Sequence, residues 1–416
     1  METNIFNASC SCDTIDLIKL REIERTYESE TKVPLKLDRF FSHSPTSLSE
    51  KSYGSLLNFS SILKHVLENA NIRKKFLSPL GPDYQQLVDN PISGGLFLGI
   101  DFHDSESGPK LIEINTNAGG LLINSILYDV QLNCTDHMQF DSSLIGNVNR
   151  LNFIFNAFQA EWSLQFPGKV LKTVAILDEN PTEQFLYSEF LMYQSILKSK
   201  GIECFILSPD DLVSMEGNLY YNDQKIDFIY NRHTDFMLEG SSLTKVKDAF
   251  IQKKVCLSPN PIDYLLFANK SNLQYLSDKK FLEEIGIEQS KIDVLTSVIP
   301  QTILFKESER DYFWEKRKQI FFKPQNGYGS KGVYSGKKLT KSKFEEISKL
   351  DYLAQDEIPP TKRTIHEVDF KIDYRAYIYD FQMILLTSRL YQGQATNFRT
   401  EGGGFSPVLR NVSRIL

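Results

Sequence analysis

Apolar positions recur at helical spacing through the first part of the chain. Residues 14–31 and 55–79 each carry an apolar stripe with polar and charged residues on the opposite side, which predicts two helices. A polar stretch, HSPTSLSEKS, lies between them and predicts a loop. We therefore expect residues 1–94 to form a mainly helical N-terminal region.

Short apolar runs typical of strands begin at residue 95. GLFLGIDFHD (95–104) and KLIEIN (110–115), joined by the turn-rich SESG, predict a hairpin, and a helical stretch near 149–166 follows. KTVAILDENP, ECFILSP and KIDFIYNR are strand-like, with a helical segment over 187–201 between the first two. This strand–helix–strand order predicts a small α/β domain with a parallel sheet over 171–260.

The last third of the chain has a different pattern. NPIDYLLFANKSNLQYLS predicts a helix, QIFFKPQNGYGSKGVYSG predicts a strand, a glycine loop and a second strand, and DYLAQDEIPP predicts a strand that leaves the core. Residues 369–397 alternate with period two, which predicts two long strands. The predicted regions are therefore 1–94, 95–170 (hairpin and helix), 171–260 and 261–416.

Composition narrows the classes of protein. The chain has 416 residues, 41% of them hydrophobic and 24% charged, which suffices for two or three ordinary domains. A formal net charge of −6 argues against a general nucleic-acid binder. We expect no membrane span, because no apolar run is long enough. Five cysteines do not form a disulfide framework, so we expect a reducing, cytoplasmic location.

The first chemical constellation lies on the predicted hairpin. Glu113 and Asn115 are two residues apart on a strand, so they point to one face, and Asp101 ends the partner strand. Two carboxylates and an amide oxygen suit Mg²⁺, which takes few protein ligands and completes its shell with water and phosphates. Asn117 adds an amide, and the small residues 118–120 let a ligand approach the backbone. A polar strand edge is the alternative interpretation.

A glycine loop is the second constellation. Gly327-x-Gly329-x-x-Gly332, with Ser330 inside it, precedes a returning strand, which predicts a hairpin flap instead of a Rossmann turn. Backbone N–H groups of such a flap can cover phosphates. Lys323, on the strand before it, is placed to reach phosphate oxygens. A flexible surface hairpin is equally consistent with these residues.

Polar side chains also end the strand DYLAQDEI. Its terminal residues are Gln355, Asp356 and Glu357. A strand that leaves the core exposes backbone groups that can pair with an adenine edge, and an acidic side chain there can hold ribose hydroxyls. The alternative is an ordinary polar strand end.

Arginines mark the two long strands. Arg375, in an Asp-x-Arg pair, and Arg389 each need an acceptor if they point inward. Guanidinium groups grip phosphate and carboxylate bidentately, so the pair suits an anionic ligand, with surface salt bridges as the alternative. The following loop adds polar and small candidates for the same ligand: Asn397, Arg399, Gly403 and Gly404.

In combination, these blocks resemble the ATP-grasp superfamily and, within it, the glutathione-synthetase-like ligases. The Asp, Glu-x-Asn block stands ahead of the lysine and arginine blocks, as it does in the circularly permuted eukaryotic-type glutathione synthetases. The middle of the chain resembles their substrate domain, including a Tyr-x-Arg loop (Tyr230, Arg232) and an entry helix with an ATP-contacting lysine, Lys270. The resemblance covers roughly 95–120 and 170–410. It implies an α/β (α+β), circularly permuted ATP-grasp fold with an inserted parallel-sheet substrate domain.

The resemblance also implies a chemistry. ATP and two Mg²⁺ ions would bind at Asp101, Glu113 and Asn115, with Lys270 and Lys323 on the α- and β-phosphates. A small-molecule carboxylate would be phosphorylated beside Arg389 and Arg375, and an amine would then form an amide. Arg232 is a candidate for a substrate carboxylate, with a structural salt bridge as the alternative.

Three points stay open at this stage. The family's flap carries a carboxylate metal ligand where this chain has Gln325 and Asn326, which puts glutathione as the product in doubt. A phosphotransferase and a non-catalytic ATP-binding module are the alternative functions. A homodimer is open, because permuted glutathione synthetases are often dimers.

Overall fold

The structure is a computed structural model, and it describes residues 3–9, 12–89, 94–132, 139–140, 150–325, 332–393, 396–398 and 400–410. Its helices are α1 Thr3–Ser9, α2 Leu17–Thr31, α3 Glu50–Leu67, α4 Ala70–Phe76, α5 Leu121–Asp129, α6 Arg150–Gln165, α7 Tyr187–Ser199, α8 Thr244–Ile251, α9 Pro261–Asp263, α10 Asn272–Leu276, α11 Lys279–Glu284, α12 Gln289–Val298, α13 Arg310–Lys316 and α14 Lys341–Ile347. Its strands are β1 Thr46–Leu48, β2 Leu98–Ser105, β3 Gly108–Asn115, β4 Gln139–Phe140, β5 Thr173–Leu177, β6 Glu203–Leu207, β7 Val213–Met215, β8 Asn218–Tyr221, β9 Gln224–Lys225, β10 Phe228–Asn231, β11 Cys256–Ser258, β12 Thr302–Phe305, β13 Ile320–Pro324, β14 Tyr334–Ser335, β15 Tyr352–Asp356, β16 Thr361–Ile365, β17 Val368–Tyr379, β18 Gln382–Tyr391 and β19 Gly404–Arg410.

An eight-stranded sheet joins the early hairpin to the late strands. Its order is β1-β19-β18-β17-β2-β3, with β16 beside β17 and β4 beside β19. The hairpin predicted over 95–115 is confirmed as β2 and β3, and β2 pairs antiparallel with β17. The predicted metal block (Asp101, Glu113 and Asn115) and the predicted arginine block (Arg375 and Arg389) therefore lie on neighbouring strands of one sheet.

The predicted parallel-sheet unit is also confirmed. Strands β11, β10, β5 and β6 form a four-stranded sheet in which every pair is parallel. Helix α7 makes the crossover from β5 to β6. Each of these strands ends toward the same edge of the sheet, which is where ligands of such sheets commonly bind.

A smaller antiparallel sheet, which we call the lid sheet, has the order β12-β15-β13-β14. Its own apolar cluster packs beneath it: Phe305, Phe313, Ile320, Phe322, Leu339, Phe344, Ile347, Tyr352 and Ala354. The hairpin predicted around the glycine loop is confirmed by the antiparallel pairing of β13 with β14. Gly327, Gly329 and Ser330 lie outside the described residues.

Two predicted helices differ in the structure. The helix expected over 55–79 is two helices, because Asn69 leaves the helix after α3 and its side chain caps α4. The entry helix is broken after a π-helical turn, Tyr264–Ala268, since Asn269 adopts an extended conformation. Asn272 Nδ2 donates to the Leu265 carbonyl at 2.6 Å and stabilises the break. Lys270 therefore lies in a turn, and its prediction as a helical residue is wrong.

The mixed α/β architecture predicted from the sequence is confirmed. Two large apolar clusters hold the eight-stranded sheet and the parallel sheet against their helices. No helix in the described part of the chain is long and apolar enough to cross a membrane.

A buried carboxylate pair generates a pH prediction. Asp263 is the last residue of the short α9, accepts a hydrogen bond from Asn260 N at 3.0 Å, and lies close to Glu161, which is also buried. Burial, and then the charge of Glu161, raise the pKa of Asp263 well above its usual value. The folded state therefore holds a proton that the unfolded state releases, so this group's stabilisation is present at low pH and lost as pH rises.

We expect Asp263→Asn to lose less stability at high pH than at low pH, because the amide cannot ionise. Urea unfolding of both proteins at about pH 5 and about pH 8 should shift the difference in unfolding free energy toward the variant by at least about 1.4 kcal/mol, the equivalent of one pKa unit. An equal difference at both pH values would contradict the raised pKa.

Candidate functional site

A cleft of about 470 Å³ lies between the eight-stranded sheet and the lid sheet. It brings together ten residues predicted from the sequence: Asp101, Glu113, Asn115, Lys270, Lys323, Gln355, Asp356, Glu357, Arg375 and Arg389. The cleft lining among the described residues contains eight lysines and arginines against five aspartates and glutamates. In a chain of net charge −6, this local excess of three positive charges suits an anionic ligand.

Two aspartates and two arginines form the floor of the cleft. Asp101 is directly opposite Arg375 on β17, and Asp373 is opposite Arg389 on β18. Arg375 holds both oxygens of Asp101, with Nε and Nη2 each 2.6 Å away. Arg389 Nη2 lies 2.9 Å from Asp101 Oδ2, and its Nε donates to Asp373 Oδ1 at 2.6 Å.

The ion pairs of the floor keep all four groups charged in a buried place. Burial by itself would raise the pKa of Asp101, but Arg375 and Arg389 outweigh it and lower that pKa to about 2. Burial opposes the charge of Arg389, yet Asp101 and Asp373 raise its pKa above the usual value. Gly99 leaves room for this arrangement, because a Cβ there would lie 3.3 Å from Arg375 Nε.

The oxygens of the predicted metal set differ in how closely other side chains already hold them. Glu113 is partly exposed to the cleft, and Asn115 Nδ2 donates to Glu113 Oε1 at 3.3 Å and to Asp101 Oδ2 at 3.2 Å, which leaves Asn115 Oδ1 available. Asp101 is different, since both of its oxygens already bind arginine. No group of three or more His, Cys, Asp or Glu side chains in the described ranges converges on one metal position. Glu113 and Asn115 fit Mg²⁺, an ion that takes few protein ligands.

The two predicted phosphate lysines both lie near Glu113. Lys270 Nζ is 3.6 Å from Glu113 Oε2. Lys323 is buried, and its Nζ donates to the Ile112 carbonyl at 2.9 Å and to Gln355 Oε1 at 2.7 Å. Burial lowers the pKa of Lys323 to about 8, with Glu113 opposing this shift and Lys270 adding to it. An anion beside Lys323 would favour its charged form.

The three polar residues at the end of β15 have different environments. Gln355 is buried, and its Nε2 donates to Thr302 at 3.0 Å, so it positions Lys323 from below. Glu357 accepts from Ser335 at 2.9 Å and pairs with Lys337 at 2.8 Å. Asp356 has an exposed side chain that makes no described ion pair.

Arg232 lies at the carboxyl edge of the parallel sheet, outside the cleft lining. Only 8% of it is exposed, yet its guanidinium makes one hydrogen bond among the described residues, to the Tyr230 hydroxyl at 3.3 Å, and no ion pair. Asn117 Nδ2 donates to the Arg232 carbonyl at 2.7 Å, while the buried Asn117 Oδ1 accepts no hydrogen bond from any residue that the structure describes. This edge therefore holds a buried cation with one described hydrogen bond, beside an acceptor that has no described partner.

The turn at Gly119 connects this edge to the cleft. Its carbonyl accepts from Arg375 Nη1 at 3.3 Å, and a Cβ on Gly119 would lie 2.9 Å from Arg232 Nη2. Glu189 accepts from the backbone N–H of Gly120 at 2.8 Å and contributes a buried negative charge near Arg232. The two arginines thus lie on either side of one glycine.

The remaining candidates lie away from the cleft lining. Asn397 closes its own loop by donating to the Gln392 carbonyl at 2.8 Å. Close packing explains why glycine stands at positions 403 and 404. A Cβ at Gly403 would lie 2.5 Å from the Leu390 carbonyl oxygen, and a Cβ at Gly404 would lie 2.5 Å from the Phe40 carbonyl oxygen. Gly332 accepts from the Tyr352 hydroxyl at 2.9 Å, next to the cleft. Arg399 lies outside the described residues.

Sequence reasoning missed several polar and charged residues of the described cleft lining, among them His103, Lys371 and Thr396. His103 hydrogen-bonds the Ile358 carbonyl at 2.9 Å, and burial followed by nearby cations lowers its pKa to about 4. The period-two alternation that placed Arg375 also places Lys371 on the same face of β17, so a signal for that lysine was present.

Comparison with known proteins supports the fold. No family model matches this chain, and no curated protein matches it. The chain is similar over 98% of its length to a glutathione synthetase-like effector from Globodera pallida, covering 97% of that chain with a TM-score of 0.56 and 11% identity. At this identity the similarity shows the fold alone, and that fold is ATP-grasp-like.

Two further structures are more distant, and nothing is concluded from them. One is a candidate gamma-glutamylcysteine synthetase from Methylobacillus flagellatus, with 14% identity, a TM-score of 0.49, and coverage of 88% of this chain and 89% of that chain. The other is the ATP-grasp ligase PsnB with a minimal precursor, Mg and ADP, with 11% identity, a TM-score of 0.27, and coverage of 58% and 90%.

The floor of the cleft generates a stability prediction. We expect Asp101→Asn to lower the unfolding free energy by about 3–5 kcal/mol, because it leaves two buried guanidinium groups without full neutralisation. Asp380→Asn is the matched control, because the Asp380 carboxylate is exposed and makes one long contact, 3.5 Å, to Lys64 Nζ. This substitution should change the unfolding free energy by less than about 0.5 kcal/mol. Denaturant unfolding at neutral pH measures both, and equal effects would contradict a structural role for Asp101.

Proposed function

We propose that this protein is an ATP-dependent carboxylate–amine ligase that releases ADP and phosphate. The observation that carries the proposal is the convergence of Glu113 and Asn115, Lys270 and Lys323, and the fixed Arg389 in one cationic cleft. Glu113 and Asn115 offer oxygen ligands for a metal ion, the two lysines offer positive charges for phosphate groups, and Arg389 offers a guanidinium group for the acyl group. An ATP-grasp-like fold is consistent with this arrangement.

The nucleotide would lie between the two sheets. Lys323, held by Gln355, and Lys270 would bind phosphate oxygens, while the end of β15 would meet the base and ribose. Glu113 and Asn115 would hold Mg²⁺ together with phosphate oxygens, and the ion would neutralise charge on the transferred phosphoryl group. Asp101 would contribute by fixing Arg375 and Arg389 in place.

The proposed reaction has two steps: phosphorylation of the substrate carboxylate and formation of the amide. An oxygen of the substrate carboxylate attacks the γ-phosphorus, the bond to the β-phosphate oxygen breaks, and ADP leaves. The amine nitrogen then attacks the acyl carbon, phosphate leaves, and the nitrogen loses a proton. Arg389 and Arg375, already positioned by Asp101 and Asp373, would stabilise charge on the acylphosphate and on the tetrahedral oxygen without reorganisation.

Arg232 is the proposed anchor for an anionic group of the substrate. It is buried with one hydrogen bond, so a carboxylate would satisfy donors that the protein leaves open. Tyr230 would orient it, and Asn117 Oδ1 would accept from a donor of the same ligand. One loop would cover the side of the cleft where the acyl group binds; its proposed residues are Asn397, Arg399, Gly403 and Gly404. A second loop would cover the phosphates; its proposed residues are Gly327, Gly329, Ser330 and Gly332.

The circular permutation is part of the same proposal. The pairing of β2 with β17 supports it, because the metal block precedes its sheet neighbour by more than 200 residues. The four regions 1–94, 95–170, 171–260 and 261–416 would then be the N-terminal region, the permuted strands, the substrate domain and the nucleotide-binding region. A cytoplasmic location and a homodimer remain expectations of this assignment.

Nucleotide binding tests the proposal most directly. MgATP should raise the thermal unfolding midpoint of the wild type by mass action. Glu113→Gln should remove the magnesium-dependent part of that rise, because its amide binds the ion weakly. Glu106→Gln, in the turn of the same hairpin, should behave like the wild type. No rise with any nucleotide in folded wild type would refute an ATP site.

Turnover separates the ligase from a phosphotransferase. In a screen of acids and amines, a ligase should release ADP and free phosphate only when both substrates are present, whereas a phosphotransferase should release ADP without phosphate. For an acid found in this way, Arg232→Met should raise its KM at least tenfold and leave the MgATP midpoint shift intact. Arg232→Lys should recover part of the loss, and the exposed Arg25→Met should change nothing.

A further inference from the structure

His103 lines the cleft, and the proposed function gives it no role. It lies on β2 two residues after Asp101, and both residues belong to the cleft lining. Phe102, between them, points to the opposite face of the sheet, where it stacks on Tyr374 with ring centroids 5.3 Å apart. His103 is therefore presented by a well-packed strand, beside the floor of the cleft.

Strand pairing places His103 one step outward from the predicted metal oxygens. Asp101 is directly opposite Glu113 on β3, whereas His103 is opposite Lys110, nearer the turn of the hairpin. Two residues of a strand span roughly 7 Å. A ligand whose phosphates lie beside Glu113 can therefore present its next chemical group to His103.

A hydrogen bond to the main chain determines the tautomer of His103. Its Nδ1 lies 2.9 Å from the carbonyl oxygen of Ile358, which follows the end of β15 by two residues. A carbonyl oxygen can only accept, so Nδ1 carries the proton and donates it. The other nitrogen of a neutral imidazole has no proton, so Nε2 is an acceptor.

This acceptor is open to the cleft. Among the residues that the structure describes, Nε2 has no hydrogen-bond partner, and it is not one of the buried side-chain atoms that lack one. The charges of Lys323 and Arg389 act on the ring and disfavour a second proton. His103 thus offers a neutral acceptor in a cleft whose lysines and arginines can only donate.

The position of Nε2 indicates which donor it would meet. Lys270 lies 3.6 Å from Glu113, and Lys323 donates to the carbonyl of Ile112, so both proposed phosphate lysines are near the inner end of β3. In a nucleotide the ribose is joined directly to the α-phosphate, and the base lies beyond it. One step outward from the phosphates is therefore the ribose, whose hydroxyl groups are hydrogen-bond donors.

The acidic side chain at this end of the cleft already has partners. Glu357 Oε1 accepts from Ser335 at 2.9 Å, and Glu357 Oε2 pairs with Lys337 at 2.8 Å. A ribose hydroxyl that met Glu357 would compete with both contacts. Nε2 of His103 has no described contact to give up.

We propose that His103 Nε2 accepts a hydrogen bond from a ribose hydroxyl of the bound nucleotide and makes the site selective for ribonucleotides over deoxyribonucleotides. The presence of a nucleotide rests on the proposed function. The acceptor itself rests on the bond to Ile358 and on the open Nε2. His103 would touch the ligand far from the transferred phosphoryl group, so its effect is expected in nucleotide affinity.

The test is calorimetric titration of the full chain, in the presence of Mg²⁺, with ATP, 2′-deoxyATP and 3′-deoxyATP. We expect the wild type to bind ATP about fivefold more tightly than at least one of the deoxy analogues, the effect of one neutral hydrogen bond.

Two substitutions of His103 separate the two ring nitrogens. In His103→Asn the amide can still donate to Ile358 but does not reach the position of Nε2, so the variant should bind ATP as weakly as the analogue and lose the discrimination. His103→Gln can place its amide oxygen near that position and should recover part of it. The exposed His65→Asn, outside the cleft lining, should keep all of it.

The contrary outcomes are distinct. Equal binding of ATP and both analogues by the wild type, or an unchanged discrimination in His103→Asn, would overturn the role of His103 and leave the proposed function standing. Purine riboside triphosphate, which lacks the amino group of adenine, tests the base. If His103→Asn loses discrimination only against this analogue, the donor is the base, and the ribose assignment is overturned. No binding of any nucleotide by the folded wild type would refute the proposed ATP site, and the role of His103 with it.

Discussion

The carboxylate of Asp101 is the group on which the cleft depends. It is buried on the central strand pair, and each oxygen binds a guanidinium nitrogen within 3 Å. An isolated charge in that place would be costly, and the arrangement persists because two arginines and two aspartates neutralise one another. The result is a rigid floor that presents Arg375 and Arg389 in a set orientation.

The positively charged side chains around this floor differ in how many carboxylate partners they have. The arginines are paired, Lys270 and Lys337 each face one carboxylate, and Lys110, Lys323, Lys338 and Lys371 make no described ion pair. The arginines are thus neutralised within the protein, whereas these four lysines have no described counter-ion. Preorganised charge of this kind is how enzymes stabilise developing anions without moving groups at the moment of reaction.

The turn at Gly119 separates the cleft from the edge of the parallel sheet. Gly119 lies between Arg375 and Arg232, so a ligand that reaches both must pass a point where no side chain fits.

Much of this protein was accessible from its sequence. Local periodicity determined the β2–β3 hairpin, the parallel-sheet unit and the two long strands, and residues two apart on one strand were correctly placed on one face. The entry helix was mispredicted, because Asn272 stabilises a break through carbonyls that no local pattern reveals.

Only the tertiary structure decided how the charges pair. The sequence indicated Asp101 as a metal ligand and Arg375 as an anion ligand, but strand pairing across more than 250 residues joined them to each other. It likewise gave Gly404 a packing role against Phe40, and it left the Arg232 guanidinium with a single hydrogen bond to the part of the chain that the structure describes. Side-chain type and spacing determine which groups a strand can present. Which of them are neutralised and which stay open to a ligand depends on neighbours that are distant in the chain.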